Sequence, residues 1–163
     1  SLSTLRSHGE WWRTSLWNEL ASTGGRVHAI QQIFESRPEA GVLIPYYHCS
    51  ALRQYPGNNV PTVERLAASM GIASIGSALD GLAFPAGTMF WFRPAALRPL
   101  TGLGLAAGDF PEEAGQVDDT LAHAIERVIN LSAGAAGFKA CCYKWKSALA
   151  GPGRTSSPLH STV

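Results

Sequence analysis

The sequence predicts a mixed α/β fold, a sheet flanked by helices, and three observations carry the prediction. Two short apolar runs, Gly41-Val-Leu-Ile-Pro45 and Thr88-Met-Phe-Trp-Phe92, read as strands. Segments at 9–22, 25–36, 61–70 and 118–131 repeat apolar residues at helical spacing. The two kinds of segment alternate, and alternation of this kind builds a sheet with helices packed on it.

Each element has its own signal. In the first helix Trp12, Leu16 and Leu20 form one stripe, and Gly24 and Gly25 end it. The second carries Val27, Ile30, Ile33 and Phe34 on one side and stops before Pro38, because the residue ahead of a proline avoids helical geometry. The run 41–45 is apolar without alternation, as expected of a strand buried on both faces. A polar-aromatic loop spans 46–61, and Pro61 opens a helix that turns Val63, Leu66 and Ala67 inward and closes at Gly71. After the strand at 88–92, Arg93-Pro94 starts a short helix to Leu100, and a Gly/Pro/acid loop over 101–116 leads to the helix at 118–131. Two regions follow: 1–138 as the folded domain, and an atypical tail, 139–163, with disorder expected over 151–163.

Composition narrows the classes. At 163 residues, 45% hydrophobic and 15% charged, the chain can bury a real core. With 13 basic against 12 acidic residues it lacks the concentrated cationic face of a nucleic-acid binder. Three cysteines, Cys141 and Cys142 adjacent, make no disulfide framework and suit a reducing compartment. His48 and Cys49 have no second pair to complete a zinc site. No apolar stretch approaches the ~20 residues needed to cross a bilayer. The expectation is therefore a soluble, cytoplasmic chain. Because it opens on Ser1 and not Met, it also reads as an excerpt of something longer.

Chemistry concentrates in two places. Around the last long helix, Glu112, Glu113, Asp118 and Asp119 precede a face shared by His123, Glu126 and Asn130. One reading is structural, with Asp118 or Asp119 capping the helix and His123 and Glu126 a solvated pair. The other makes one of these acids a general base at a helix end. The second place is the run from Phe84 to Arg93. As a core strand it uses Gly87 for close packing. As a ligand site, Gly87 and Thr88 admit substrate to the backbone, Trp91 offers a flat apolar platform, and Arg93 a forked donor. The loop residues Tyr46, Tyr47, His48, Tyr55, Asn58 and Asn59 suit carbohydrate contacts and equally suit any surface loop. No phosphate loop, dinucleotide fingerprint or Asp-x-Asp metal clamp is present, so the cofactor is unknown and metal use is left open.

These residues resemble a family. Gly9-Glu-Trp-Trp-Arg13 resembles the Gly-x-x-Trp-Arg element of rhamnan synthesis protein F, and Gly57-Asn-Asn59 with Val63-x-x-Leu-Ala67 resembles its Gly-x-Asn element and following helix. Phe84-Pro-Ala-Gly-Thr-Met-Phe-Trp-Phe-Arg-Pro-x-Ala-Leu97 is similar to its central strand, and Phe110-Pro-x-Glu-x-Gly-Gln-Val-Asp118 with Thr120-Leu-Ala-His-Ala-Ile-Glu-Arg127 to its acidic-helix motif. The resemblance implies a glycosyltransferase of A-type fold in the synthesis of rhamnose-containing polysaccharide, O-antigen or capsule. It implies a nucleotide-sugar donor and a glycan acceptor, the latter lipid-linked and a route to peripheral attachment at the inner face of the plasma membrane. On the family pattern Asp118 is the catalytic base, with Glu113 in reserve. Gly87, Thr88, Trp91, Arg93, His123, Glu126 and Asn59 are the substrate-side candidates. A non-catalytic carbohydrate-binding or assembly module is the alternative. Two departures stand out: Asp119 where the family more often has Gly, and Tyr55-Pro56 where a Trp usually precedes Gly57. The family's upstream, nucleotide-binding half is not in this stretch.

Overall fold

β1 (Ala40–Pro45) is the strand announced most clearly by the sequence, and all of its residues are buried. The computed structural model describes residues 2–52, 59–73, 75–76, 82–112, 119–145 and 158–162, the first seven and last five of these by backbone alone. β1 lies inside a four-stranded mixed sheet ordered β4-β1-β5-β6. β4 (Trp91–Phe92) pairs antiparallel with it, Leu43 opposite Trp91, and β5 (Lys139–Trp145) runs parallel on its other side, Leu43 opposite Cys141. β6 (Pro158–Thr162) closes the far edge, antiparallel to β5.

Because side chains alternate across a strand, β1 feeds two cores. Leu43 packs with Ile30 and Ile33 of α2 (Gly24–Ser36), together with Cys141, Tyr143 and Trp145. Val42 and Ile44 pack on the other face with Ile129 and Ala133 of α5 (Leu121–Ala135) and with Cys142. A third cluster joins α5 to α3 (Val60–Ser69) through Val63, Leu66, Ala67, Ala124 and Val128. α5 is thus buried on two sides, against α3 and against the sheet. Gly41 marks the tightest point: a Cβ there would meet the Ala96 Cβ at 2.8 Å and the Phe138 side chain closer still.

α1 (Leu2–Leu20) buries Leu16 and Leu20, with Trp12 half-buried beside them, as the stripe predicts. Its C-terminal carbonyls, orphaned by the helix geometry, are met by aromatic donors from the sheet. Tyr143 Oη and Trp145 Nε1 donate to the Glu19 carbonyl at 3.0 and 2.9 Å, and Trp91 Nε1 to that of Leu20 at 3.2 Å. Gly24 and Gly25 open α2 and do not close α1; Thr23 caps α2, its Oγ1 accepting from the Arg26 N–H.

Three segments differ from the sequence expectation. The expected strand at 88–92 is reduced to its last two residues, and a second short strand lies ahead of it. β3 (Ala83–Pro85) pairs with β2 (Cys49–Ala51) in a separate two-stranded sheet, β4 joins the main one, and a turn at 86–88 divides them. The expected loop at 46–61 accordingly contains a 3-10 turn, Tyr46–His48, and then β2, while 53–58 lie outside the described residues. Residues 139–145, assigned by sequence to the tail, are β5, buried between β1 and β6. A strand covered on both faces need show no alternation, which hid it. Most of 151–163 lies outside the described residues, and 158–162 within it is β6. The remaining elements are a 3-10 turn at Pro94–Leu97, the one-turn α4 (Arg98–Thr101) and a 3-10 turn at Ala107–Asp109.

The adjacent cysteines point to opposite faces of β5. Cys141 is a buried thiol in the α2-side core, while Cys142 faces the α5 side and is joined by a disulfide to Cys49. One bridge between strands replaces the unpaired thiols expected from the sequence. Among the described residues no helix is long and apolar enough to cross a membrane.

Candidate functional site

Residues far apart in sequence meet where α5 crosses the turn after β3. Pro85-Ala86-Gly87-Thr88 reverses the chain, with the Thr88 N–H donating to the Pro85 carbonyl at 3.0 Å. Gly87 takes φ 85° there, and a Cβ on it would come within 3.0 Å of Trp12 Nε1. Thr88 follows at φ 53°, a left-handed conformation that a β-branched residue adopts only under constraint. The constraint is Glu126. Its Oε1 accepts from the Gly87 N–H at 2.7 Å and from the Thr88 hydroxyl at 2.9 Å. One helical carboxylate therefore holds the turn shut, and His123 and Glu126 are not the solvated pair that spacing alone allows.

The rest of that helix face is similarly engaged. Thr120, not an aspartate, caps α5: it has extended geometry, φ −103° and ψ 163°, and its Oγ1 accepts from the His123 N–H. The same oxygen lies 2.6 Å from His123 Nδ1. Asp119, just ahead, sits at φ 70°, a conformation glycine adopts freely and a residue with a Cβ rarely. Asn130 donates to the Ala83 carbonyl at 2.7 Å, tying α5 to β3 one turn below Glu126. Arg127, 4% exposed, donates to the His123 carbonyl and lies over the Phe84 ring. Asp118 and Glu113 lie outside the described residues.

The other candidates disperse. Trp91 and Thr88 line an open groove of about 540 Å³ with Leu20, Met89, Phe90 and Phe92. No α5 residue lines it; Thr88 belongs both to it and to the Glu126 contact. Arg93 lines a different groove, with Phe34 and Phe138, and its guanidinium donates to the Ala40 and Phe34 carbonyls. Asn59 is buried at the start of α3, its carbonyl accepting from the Val63 N–H. Among the described residues no group of three or more His, Cys, Asp or Glu is placed to hold a metal.

Sequence reasoning did not pair His48 with Ser15. The imidazole is fully buried, with Nε2 2.9 Å from Ser15 Oγ and Trp12 packed edge-on at 4.6 Å. Burial lowers its pKa from the ordinary 6.5, so the ring is neutral at pH 7. Its Nδ1 has no hydrogen-bond partner among the described residues. A proton at Nδ1 would be an orphaned buried N–H, costlier than an unused lone pair, so the proton belongs on Nε2 and is donated to Ser15. That is the opposite of what a base activating a serine requires. The pair ties α1 to the 46–48 turn and is no nucleophile.

Residues 1–138 match the family described as Rhamnan synthesis protein F. Two curated relatives, each described as uncharacterized protein WxcX, come from two strains of Xanthomonas campestris pv. campestris. They are 37% and 36% identical to the chain over 137 residues, 84% of it and 19% of their own length. The chain thus spans about a fifth of the length of the curated relatives it matches. No solved structure matches it. With a match over more than four-fifths of its residues, the chain belongs to the rhamnan synthesis protein F family, which is associated with polysaccharide synthesis.

Proposed function

We propose that the chain is the acceptor-side portion of a glycosyltransferase that moves a sugar from a nucleotide-sugar donor to a growing cell-surface polysaccharide. The observation that carries this reading is the junction of Glu126 with the Gly87-Thr88 turn. It joins the two sequence blocks most similar to the family and sets a polar helix face against a glycine-containing turn, beside a groove walled by aromatic rings.

In this reading Asp118, two residues ahead of the cap of α5, is the base, with Glu113 in reserve. The acid takes the proton of an acceptor hydroxyl while that oxygen bonds to the anomeric carbon. The bond from that carbon to the donor diphosphate breaks, and the diphosphate leaves with the electron pair. Thr88 and Trp91 shape the sugar pocket, Gly87 lets the turn close against Trp12 and Glu126, and His123 and Glu126 set the turn and helix end that orient it. Asn59 and Arg93 act from further out, holding α3 and β4 in place.

Incubation with candidate nucleotide sugars and a glycan acceptor tests the proposal. Asp118→Ala is expected to lower transfer by at least a hundredfold, the low end for removal of a general base, while acceptor binding persists. Equal turnover in that variant refutes the role of Asp118. A second reading, a non-catalytic glycan-binding or assembly module, is favoured by one observation: Trp91, Arg93 and Glu126 already direct polar groups to partners within the chain. It predicts glycan binding with no turnover of any donor.

A further inference from the structure

Two sets of exposed aromatic rings adjoin the Trp12–His48 contact, Trp11 on α1 and the Tyr46-Tyr47 pair in the turn that carries His48. Trp11 is 56% exposed, Tyr46 51% and Tyr47 56%, three large rings left open to solvent. They are held in order. Tyr46 and Tyr47 pack edge to face, centroids 5.5 Å apart, and the Lys144 ammonium lies 4.8 Å from the Tyr47 ring and 5.6 Å from that of Tyr46. Trp11 lies 6.4 Å from the buried His48 ring, next in sequence to Tyr47. On the helix side a groove of about 480 Å³ runs along Trp11, with Thr14, Ser15, Asn18 and Glu19 supplying hydroxyl, amide and carboxylate groups. Lys144, beside both tyrosine rings, also interacts electrostatically with Glu19 of that groove.

We propose that this patch is a glycan-docking platform that binds the acceptor polysaccharide several sugar units away from the site of transfer. The proposal rests on the reading of the chain as a glycan-handling protein and deepens it by naming where the acceptor lies. The chemistry fits a neutral saccharide. The C–H faces of a pyranose stack on flat apolar rings, whereas its hydroxyls need donors and acceptors at the rim. Trp11, Tyr46 and Tyr47 give the first; Asn18, Glu19 and Lys144 give the second. With Glu10 and Glu19 set against the one ammonium of Lys144, the groove has no cationic excess to hold a polyanion and suits an uncharged ligand better. Rings ordered before binding cost less entropy to engage than mobile ones. The platform is also continuous with the proposed site: Trp12 packs on His48 on one side and on Gly87 on the other, and the Ala86 N–H donates to the His48 carbonyl at 2.8 Å.

The test titrates the chain with a rhamnose oligosaccharide of four to six units, followed by saturation-transfer NMR and tryptophan fluorescence, with the methyl glycoside of rhamnose and a sulfated oligosaccharide alongside. Saturable binding of the neutral oligosaccharide is expected, with the monosaccharide much weaker. Trp11→Ala and Tyr47→Ala should each weaken it about five- to tenfold, the value of one stacked ring. Glu64→Gln, an exposed change on α3, should leave it unchanged, and unaltered circular dichroism shows that the ring variants fold. No saturation by the neutral oligosaccharide, equal affinity in both ring variants, or preference for the sulfated ligand overturns the platform. If binding holds but no donor is ever turned over, the transferase reading fails and the platform stands. If transfer is observed and both ring variants bind and transfer normally, the platform fails and the transferase reading stands.

Discussion

Glu126→Ala probes the junction that organises the candidate site. The substitution removes one acceptor oxygen from two donors, the Gly87 N–H at 2.7 Å and the Thr88 hydroxyl at 2.9 Å. A hydrogen bond to a charged group contributes about 1.5–3 kcal/mol, and the half-exposed carboxylate puts both bonds at or below the lower end. The expected loss is about 2 kcal/mol, or roughly 4–8 °C in Tm for a chain of this size. Glu126→Gln keeps an acceptor oxygen without its charge and should lose about half as much. Thr88 makes the argument sharper. Its φ of 53° costs a residue with a Cβ roughly 1–2 kcal/mol, and the bond to Glu126 offsets it. Thr88→Gly in the native background relieves the strain and forfeits the bond, a near-neutral change. In the Glu126→Ala background only the relief remains, so the same change should stabilise by about 1 kcal/mol. Thermal melts of the four proteins complete the cycle. Strictly additive effects, or a Tm change below about 1 °C for Glu126→Ala, would refute the view that the carboxylate holds the turn.

Three further outcomes are expected. Gly41→Ala inserts a Cβ 2.8 Å from that of Ala96 and should destabilise by about 1–3 kcal/mol in urea unfolding; a neutral result means the sheet and the 94–97 turn are less closely packed than described. His48 has its folded pKa below the unfolded value, so its contribution to stability is complete above about pH 6.5 and is lost as pH falls through that value toward the folded pKa. Comparing urea midpoints at pH 7.5 and 5.0, the native chain should lose more than His48→Gln does, and parallel losses would show that the ring protonates freely. Asp119→Gly, at φ 70°, should be neutral or stabilising by up to about 1 kcal/mol, whereas Asp119→Val should lose more than 1 kcal/mol; equal melting temperatures for the two would discount the backbone strain.

Helices are legible in the sequence because their signal is local. The spacing of Val63, Leu66 and Ala67, or of Ala124 and Val128, states the buried face directly, and both sets are buried. β1 is legible because a short apolar run between turn residues is too brief for a helix and too apolar for a surface loop. β2 and β3 are not, since a three-residue strand has no period to read and each is defined only by its partner. β5 escapes notice because Cys141, Tyr143 and Trp145 serve one core and Ala140 and Cys142 another, leaving no alternation to find. The candidate site is legible in halves. The polar face of α5 and the Phe84–Arg93 run each stand out, but the bond between them spans 39 residues and is a property of the fold alone. Residue preference points to an aspartate as the cap of α5, whereas backbone geometry gives that place to Thr120.

The likeness to the family stops at residue 138, one residue before the strand that lies at the centre of the main sheet. A fragment trimmed at that border would leave β1 with only the two-residue β4 beside it and would take away Tyr143 and Trp145, two of the three groups moored to the end of α1. The C-terminal end of the opening helix would keep only the Trp91 bond of those three, leaving Ser15 and Trp12 on His48 to hold its middle. Seven residues beyond the recognisable homology thus supply two of the three donors at the end of the first helix, and any recombinant boundary should be drawn after Trp145, not before Lys139.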